Sequence, residues 1–158
     1  MAISNSILDK NGKLTDAEWA LVRAHPGYSG TILRRVPTFE RVAMLAEQHH
    51  ERLDGSGYPH RKTEVDLGVE SRIIALADCY SAMAEARPYR EARPKDEVLH
   101  LLKSEIPLKL DADCFEALES ATRHWAAAFP EAADTMNTNA TPTPEFHWSW
   151  PPLTQALS

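Results

Sequence analysis

Residues 49–59 read HHERLDGSGYP, in which two adjacent histidines and three further charged residues lead into a Gly-Ser-Gly-Tyr-Pro turn. Adjacent residues on a helix point about 100° apart, so two neighbouring imidazoles face one centre only where a helix is ending. Such an ending helix is predicted by apolar residues at helical spacing, namely Phe39, Val42, Leu45 and Ala46. The stretch is therefore either a helix end followed by a surface turn, or a site for a metal and a ligand.

Helical patterns continue on both sides of this stretch. Thr15 and Glu18 form a capping-box pattern for a helix that runs to about His25, where Pro26 ends or restarts it. A short helix over 27–35 is expected to turn Ile32 and Leu33 inward. Further helices are predicted over Val69 to about Ala86, Lys95 to Ser104, and Asp111 to about Phe129. The first of these three should bury one face: Ile73, Leu76, Ala77, Tyr80 and Met83/Ala84.

The fold class follows from these patterns. Alternation of apolar and polar residues is nowhere long enough for a strand, so we predict an all-α protein, a bundle of about five to six helices. The helical domain is expected over residues 1–129. Residues 130–158 contain Pro and Thr but neither Lys nor Arg, and we expect an irregular, flexible tail there.

Composition excludes several classes of protein. The 158 residues carry a formal net charge of −6, which argues against DNA as a partner. Apolar runs stay short of the roughly 18 residues that span a membrane, and the N-terminus lacks a signal-peptide pattern. Cys79 and Cys114 lack metal-ligand spacing and are expected to be buried free thiols. These features favour a cytoplasmic protein.

Four residues are candidate metal ligands: His25, His49, His50 and Asp78. For His25 the alternative is a structural role, since a helix C-terminus favours positive charge. Asp78 lies within an otherwise apolar helix, where an unpaired carboxylate is costly; a solvent-facing position is its alternative. Three imidazoles with one carboxylate suit Fe, Mn or Zn better than Ca or Mg.

A candidate ligand-binding loop comprises Asp54, Gly55, Gly57, Tyr58 and Pro59. Its glycines predict either a surface turn or a close approach of the backbone that presents Tyr58 to a ligand. Arg87 and Arg90 follow the Asp78 helix, three residues apart, and guanidinium groups suit phosphate oxygens. The alternative for these arginines is a solvated face that pairs with nearby glutamates.

Over residues 7–124 the chain resembles the HD-GYP family, a branch of the HD phosphohydrolase superfamily. The resemblance is carried by the segments ILDKNGKLTDAEW, AHPGYSGTIL, HHERLDGSGYP, RIIALADCYSAM and ARPYREA. It implies an HD-domain-like bundle and metal-dependent hydrolysis of cyclic di-GMP, in which two or three metals activate a hydroxide that attacks phosphorus. It also implies that His25, His49, His50 and Asp78 bind metal. Tyr58, Arg87 and Arg90 would contact the nucleotide, and the Gly-Tyr-Pro loop would also be a surface for a protein partner.

The chain departs from this family at the His-Asp-x-Gly-Lys segment, because none of its seven histidines is followed by Asp. We therefore expect a domain that is incomplete at its N-terminus. It would lack the carboxylate that bridges two metals. We therefore expect reduced metal occupancy and weak activity, and we assign no catalytic residue. Three interpretations stay open: part of a working phosphodiesterase, a non-catalytic cyclic di-GMP-binding or protein-interaction module, or a structural helical domain. A homodimer is also left open.

Overall fold

A computed structural model describes residues 3–8, 10, 12–86 and 91–128. Within these ranges the helices are α1 (Asn5–Leu8), α2 (Asp16–Arg23), α3 (His25–Leu33), α4 (Glu40–Gln48), α5 (Val69–Ala84), α6 (Lys95–Lys103) and α7 (Ala112–Ala128). Short 3₁₀ turns occupy Pro37–Phe39 and Glu64–Asp66. The described residues contain no strand beyond an isolated bridge between Asp54 and Thr63, which confirms the all-α prediction. The one-turn helix α1 was not predicted.

The start of α2 is capped as its sequence predicts. The Thr15 hydroxyl accepts a bond from the Glu18 amide at 3.3 Å, and the Glu18 carboxylate accepts one from the Thr15 amide at 2.7 Å. Ala24 both ends α2 and precedes α3, with Pro26 in the first turn of the new helix. A proline is tolerated there because the first amides of a helix have no intrahelical partner. His25 consequently lies at the start of α3.

The apolar core lies between α5, α6 and α7. Its buried members are Leu76, Cys79, Met83, Val98, Leu99, Leu102, Leu110, Cys114 and Phe115. Cys79 and Cys114 are both free and buried, as predicted. An ion pair between Arg72 and Asp111, at 2.9 Å, ties α5 to the residue before α7. This side of the domain is held mainly by apolar burial.

Some predicted inward faces are wrong. Ile32 on α3 is 63% exposed, and Phe39 and Val42 are 43% and 48% exposed. The buried residues of α4 are Ala43 and Gln48 instead, and Leu45 and Ala46 are half-buried. In α3 the inward position is Gly30, where an added Cβ would collide with the side chain of Glu47 on α4. The two helices therefore approach through a small residue, which hydrophobic spacing does not reveal.

The predicted buried face of α5 is confirmed in part, because Leu76 and Met83 are buried and Tyr80 and Ala84 pack against the core. Ile73 is 51% exposed and Ala77 is exposed, whereas Ser71, Ala75 and Cys79 are buried. Ser71 is buried because its hydroxyl donates to Gln48 Oε1 at 2.6 Å. A hydrogen-bonded polar pair is thus buried between α4 and α5, whereas Ile73, which the hydrophobic pattern predicts to be buried, is exposed.

Two predictions fall outside what the structure describes. The tail over 130–158 lies beyond the described residues, so the domain boundary stays a prediction. Arg87 and Arg90 lie between two described ranges, so their contacts with phosphate stay predictions as well. Among the described helices, none is both long and apolar enough to traverse a bilayer.

Candidate metal centre

Three histidines from two helix junctions meet at one point. His25 is the first residue of α3, while His49 caps the end of α4 and His50 follows in the turn. His25 Nε2 lies 3.3 Å from His49 Nε2 and 3.1 Å from His50 Nε2. One ligand atom from each of the three lies within 4.8 Å of the others, which would allow all three to bind a single ion.

Backbone carbonyls set the tautomers of two of these rings. His25 Nδ1 lies 2.7 Å from the Val22 carbonyl oxygen, and His49 Nδ1 lies 2.7 Å from that of Ala46. A carbonyl oxygen can only accept, so each Nδ1 carries the proton and donates it. Each Nε2 is then left with a lone pair that points into the cluster. Metal-binding histidines are commonly oriented in this way.

The cluster favours neutral imidazoles. Burial lowers the pKa of His25, His49 and His50 below the ordinary histidine value, and the nearby Arg52 guanidinium lowers those of His49 and His50 further. With both Nδ1 atoms protonated, the lone pairs of His25 and His49 face each other at 3.3 Å and repel. A metal cation between them would remove that repulsion, and neutral imidazole is the form that binds metals. The donor set therefore fits a transition metal.

Asp78 reaches the cluster from α5. Its Oδ2 lies 3.5 Å from His50 Nδ1, whereas His50 faces His25 through Nε2. Its side chain is 36% exposed, so the carboxylate sits between the cluster and solvent. The structure thus brings all four predicted ligands together, with three on one centre and Asp78 adjoining it through His50. Metal ligation by these residues stays a prediction.

The glycine-rich loop folds back onto the histidine pair. Gly55 has φ +76°, a conformation that favours glycine, and a Cβ on Gly57 would lie 2.5 Å from backbone atoms of residues 50–52. The Tyr58 amide donates to the His50 carbonyl at 3.2 Å. Asp54 supports the turn by accepting bonds from the amide and hydroxyl of Ser56. The glycines thus allow the loop backbone to pack closely on residues 50–52, while an approach to a ligand stays a prediction.

Tyr58 packs inward. Its ring centroid is 4.9 Å from that of His50, and burial raises the pKa of its phenol above the ordinary value. The prediction that the loop presents this side chain to a ligand is not tested by this contact, but the ring does form part of the wall around the histidines. The peptide bond from Tyr58 to Pro59 is cis.

Two buried charged residues were not predicted to have a role. Glu51 is 1% exposed, and its carboxylate accepts bonds from the amides of His60 and Lys62 at 2.7 and 2.9 Å. Arg52 is 8% exposed and donates to the Glu51 carbonyl and to Cys79 Sγ, at 2.8 and 3.1 Å. In the sequence these residues resemble the charged flank of a surface turn. Their burial depends on contacts with distant segments.

Comparisons with known proteins agree with this architecture. The family model described as HD domain matches residues 2–114. The chain is 41% identical over 121 residues to 3'3'-cGAMP-specific phosphodiesterase 3 of Vibrio cholerae, covering 77% of this chain and 26% of that protein. It is 40% identical over 123 residues to the cyclic di-GMP phosphodiesterase response regulator RpfG of Xanthomonas campestris pv. campestris, covering 75% and 32%.

A third relative is the cyclic di-GMP phosphodiesterase of Thermotoga maritima, 36% identical over 106 residues, with 66% of this chain and 29% of that protein covered. The matched part of the chain thus corresponds to about a quarter to a third of the length of each relative. The chain belongs to the HD domain family, as its resemblance to the HD-GYP branch predicted.

Proposed function

We propose that this chain is the metal-binding part of a phosphodiesterase that hydrolyses cyclic dinucleotides. The observation that carries the proposal is the convergence of three imidazoles, two of them held by backbone carbonyls with their Nε2 atoms facing inward. An HD domain fold and relatives that are named as cyclic dinucleotide phosphodiesterases support the same conclusion.

His25, His49 and His50 would hold the metal, and Asp78 would either complete the ligand set or orient His50 through Nδ1. The nitrogen-rich donors with one carboxylate suit Fe, Mn or Zn. A metal held there would supply a hydroxide nucleophile near neutral pH and would polarise a phosphoryl oxygen. The inward-packed Tyr58 ring would shield the imidazoles from water on one side.

The substrate is proposed as a class. The relatives divide between cyclic di-GMP and 3'3'-cGAMP in their names, and both nucleotides contain two phosphodiester bonds in one ring. Arg87 and Arg90 would bind the phosphates, because guanidinium groups donate paired hydrogen bonds to phosphate oxygens. Cyclic di-GMP, predicted from the family resemblance, is the first substrate to test.

The sequence itself favours a second candidate function. It contains no His-Asp pair, so the carboxylate expected to bridge two metals is absent from these residues. Two divalent ions without a bridging negative charge repel each other, which favours low occupancy of a second position. A domain of this kind would bind a cyclic dinucleotide, or a protein through its Gly-Tyr-Pro loop, without hydrolysis.

One assay separates these functions. The purified chain, reduced and supplied with Mn²⁺ or Fe²⁺, is incubated with cyclic di-GMP and with 3'3'-cGAMP, and the products are followed by chromatography. We expect weak turnover that Asp78→Ala lowers at least tenfold, since removing a ligand or its supporting partner costs about 10–100-fold. Asp96→Ala, on the exposed face of α6, is the matched control and should leave turnover unchanged.

Nucleotide binding without turnover would support the non-catalytic function instead. Absence of both metal binding and nucleotide binding would contradict the phosphodiesterase and the nucleotide-binding function, and would leave a protein-binding or structural domain.

A further inference from the structure

The carboxylate of Glu51 closes the loop that follows the histidine pair. Its Oε1 accepts from the His60 amide at 2.7 Å and its Oε2 from the Lys62 amide at 2.9 Å. Glu51 itself is 1% exposed, so its carboxylate is shielded from water. Residues 51–62 are thereby joined at their two ends, and we call them the 51–62 loop.

This position has a chemical requirement for a carboxylate. A buried carboxylate is costly unless donors satisfy it, and here two backbone amides do so. Glutamine has the same length but only one acceptor oxygen, so its NH₂ group would face a second N–H donor. Aspartate keeps both oxygens but is shorter by one methylene and could not reach both amides.

Residues of the closed loop contact His50, one of the three candidate metal ligands. Tyr58 lies inside the loop, with its amide on the His50 carbonyl at 3.2 Å and its ring centroid 4.9 Å from that of His50. Gly57 lies against the backbone of residues 50–52. Opening the loop would therefore remove the packing of Tyr58 on one side of the His50 ring, which His49 and His25 contact elsewhere.

We propose that Glu51 is a positioning residue: by closing the 51–62 loop it holds Tyr58 against His50 and so keeps His50 Nε2 directed at the other two histidines. The part of this inference that concerns metal affinity rests on the proposed function. The loop closure and the position of the His50 ring do not.

The test uses Glu51→Gln in the full chain, with Glu116→Gln, at an exposed position on α7, as the matched control. Cleavage by trypsin after Arg61 and Lys62 should be faster when this segment opens, because proteolysis reports local opening of the backbone. We expect cleavage there to be about tenfold faster in Glu51→Gln, because a hydrogen bond to a charged group is lost and an amide donor is left unpaired. The control should be cut at the wild-type rate. An unchanged rate in Glu51→Gln would overturn the loop closure.

The position of His50 is read in metal-free protein by NMR. Tyr58 and His50 ring protons should show a nuclear Overhauser contact in the wild type and in Glu116→Gln, and should lose it in Glu51→Gln. If Glu51→Gln is cleaved faster but keeps this contact, Glu51 only closes the loop, and its positioning role is overturned.

Cobalt binding connects the inference to the metal centre. The d–d absorption of added Co²⁺ should report an altered site and about tenfold weaker affinity in Glu51→Gln, as for other residues that orient metal ligands. Wild-type protein that binds no Co²⁺ would contradict the proposed function, while the cleavage and NMR results would still decide the role of Glu51. If Glu51→Gln does not fold, Glu51→Asp is read in the same assays with the same expected directions.

Discussion

The domain contains two buried regions of different kinds. One is the core between α5, α6 and α7, and the other lies at the junction of α3, α4 and the 51–62 loop. The first consists of aliphatic, aromatic and thiol side chains. The second, which we call the polar centre, contains His25, Gln48, His50, Glu51, Arg52 and Ser71. Apolar burial is non-directional, whereas each buried polar group requires a partner at a particular place.

The difference indicates a division of roles. The apolar core supplies most of the stability, since burying aliphatic side chains is the dominant favourable contribution to folding. The polar centre supplies geometry, because its hydrogen bonds set ring tautomers, loop closure and helix spacing. Damage to the core should therefore lower the stability of the whole domain, while damage to the polar centre should alter the metal site first.

The largest effect on stability is expected from Leu102→Ala in the core. Leu102 is fully buried, and its truncation should lower the free energy of unfolding by about 2–5 kcal/mol through lost burial and a cavity. Leu108→Ala, at a side chain that is 66% exposed, should change it by less than about 0.5 kcal/mol. Urea unfolding measures both. Equal losses in the two variants would contradict the division of roles.

The polar centre can be broken by a single methyl group. Gly57→Ala would place a Cβ 2.5 Å from backbone atoms of residues 50–52, which cannot move as a flexible side chain can. We expect a loss of about 1–3 kcal/mol in the free energy of unfolding, together with an altered Co²⁺ absorption spectrum.

Gly27→Ala is the control for that substitution. Gly27 lies in α3 with nothing within 4 Å of the added Cβ, so alanine there should be neutral or stabilise by up to about 1 kcal/mol. A Gly57→Ala protein with the wild-type cobalt spectrum would show that the loop backbone does not position the histidines.

The smallest effect is expected at the α2 cap, which belongs to neither buried region. Hydrogen bonds from Lys10 and from the Thr15 amide lower the pKa of Glu18 from 4.5 to about 2. The native state thus holds the charged form, so this contribution is present above about pH 4.5 and is lost as the pH falls through about 2. Glu18→Gln should flatten the dependence of the thermal midpoint on pH over that interval.

Glu116→Gln, at an exposed position on α7, should keep the wild-type dependence. If Glu18→Gln and the control follow the same curve, the bonds of the Glu18 carboxylate contribute nothing measurable to stability.

The sequence determined the helical class, the cap of α2 and the segments that bear the histidines. These features are local: a capping box acts over three residues, and Gly55 and Gly57 mark a turn through their own backbone requirements. The motif predicts His25 as a ligand, but it does not predict that His25 begins α3 instead of ending α2.

Only the tertiary structure decided which faces are buried and which charges lie inside. Hydrophobic spacing placed Ile73 and Val42 inward, but Ser71 and Gln48 are buried because they pair with each other across α4 and α5. Glu51 is buried because amides from the far end of its loop satisfy both of its oxygens. The type of a residue specifies the free energy that its burial costs. The hydrogen-bond partner that offsets this free energy lies elsewhere in the chain, and only folding brings the two together.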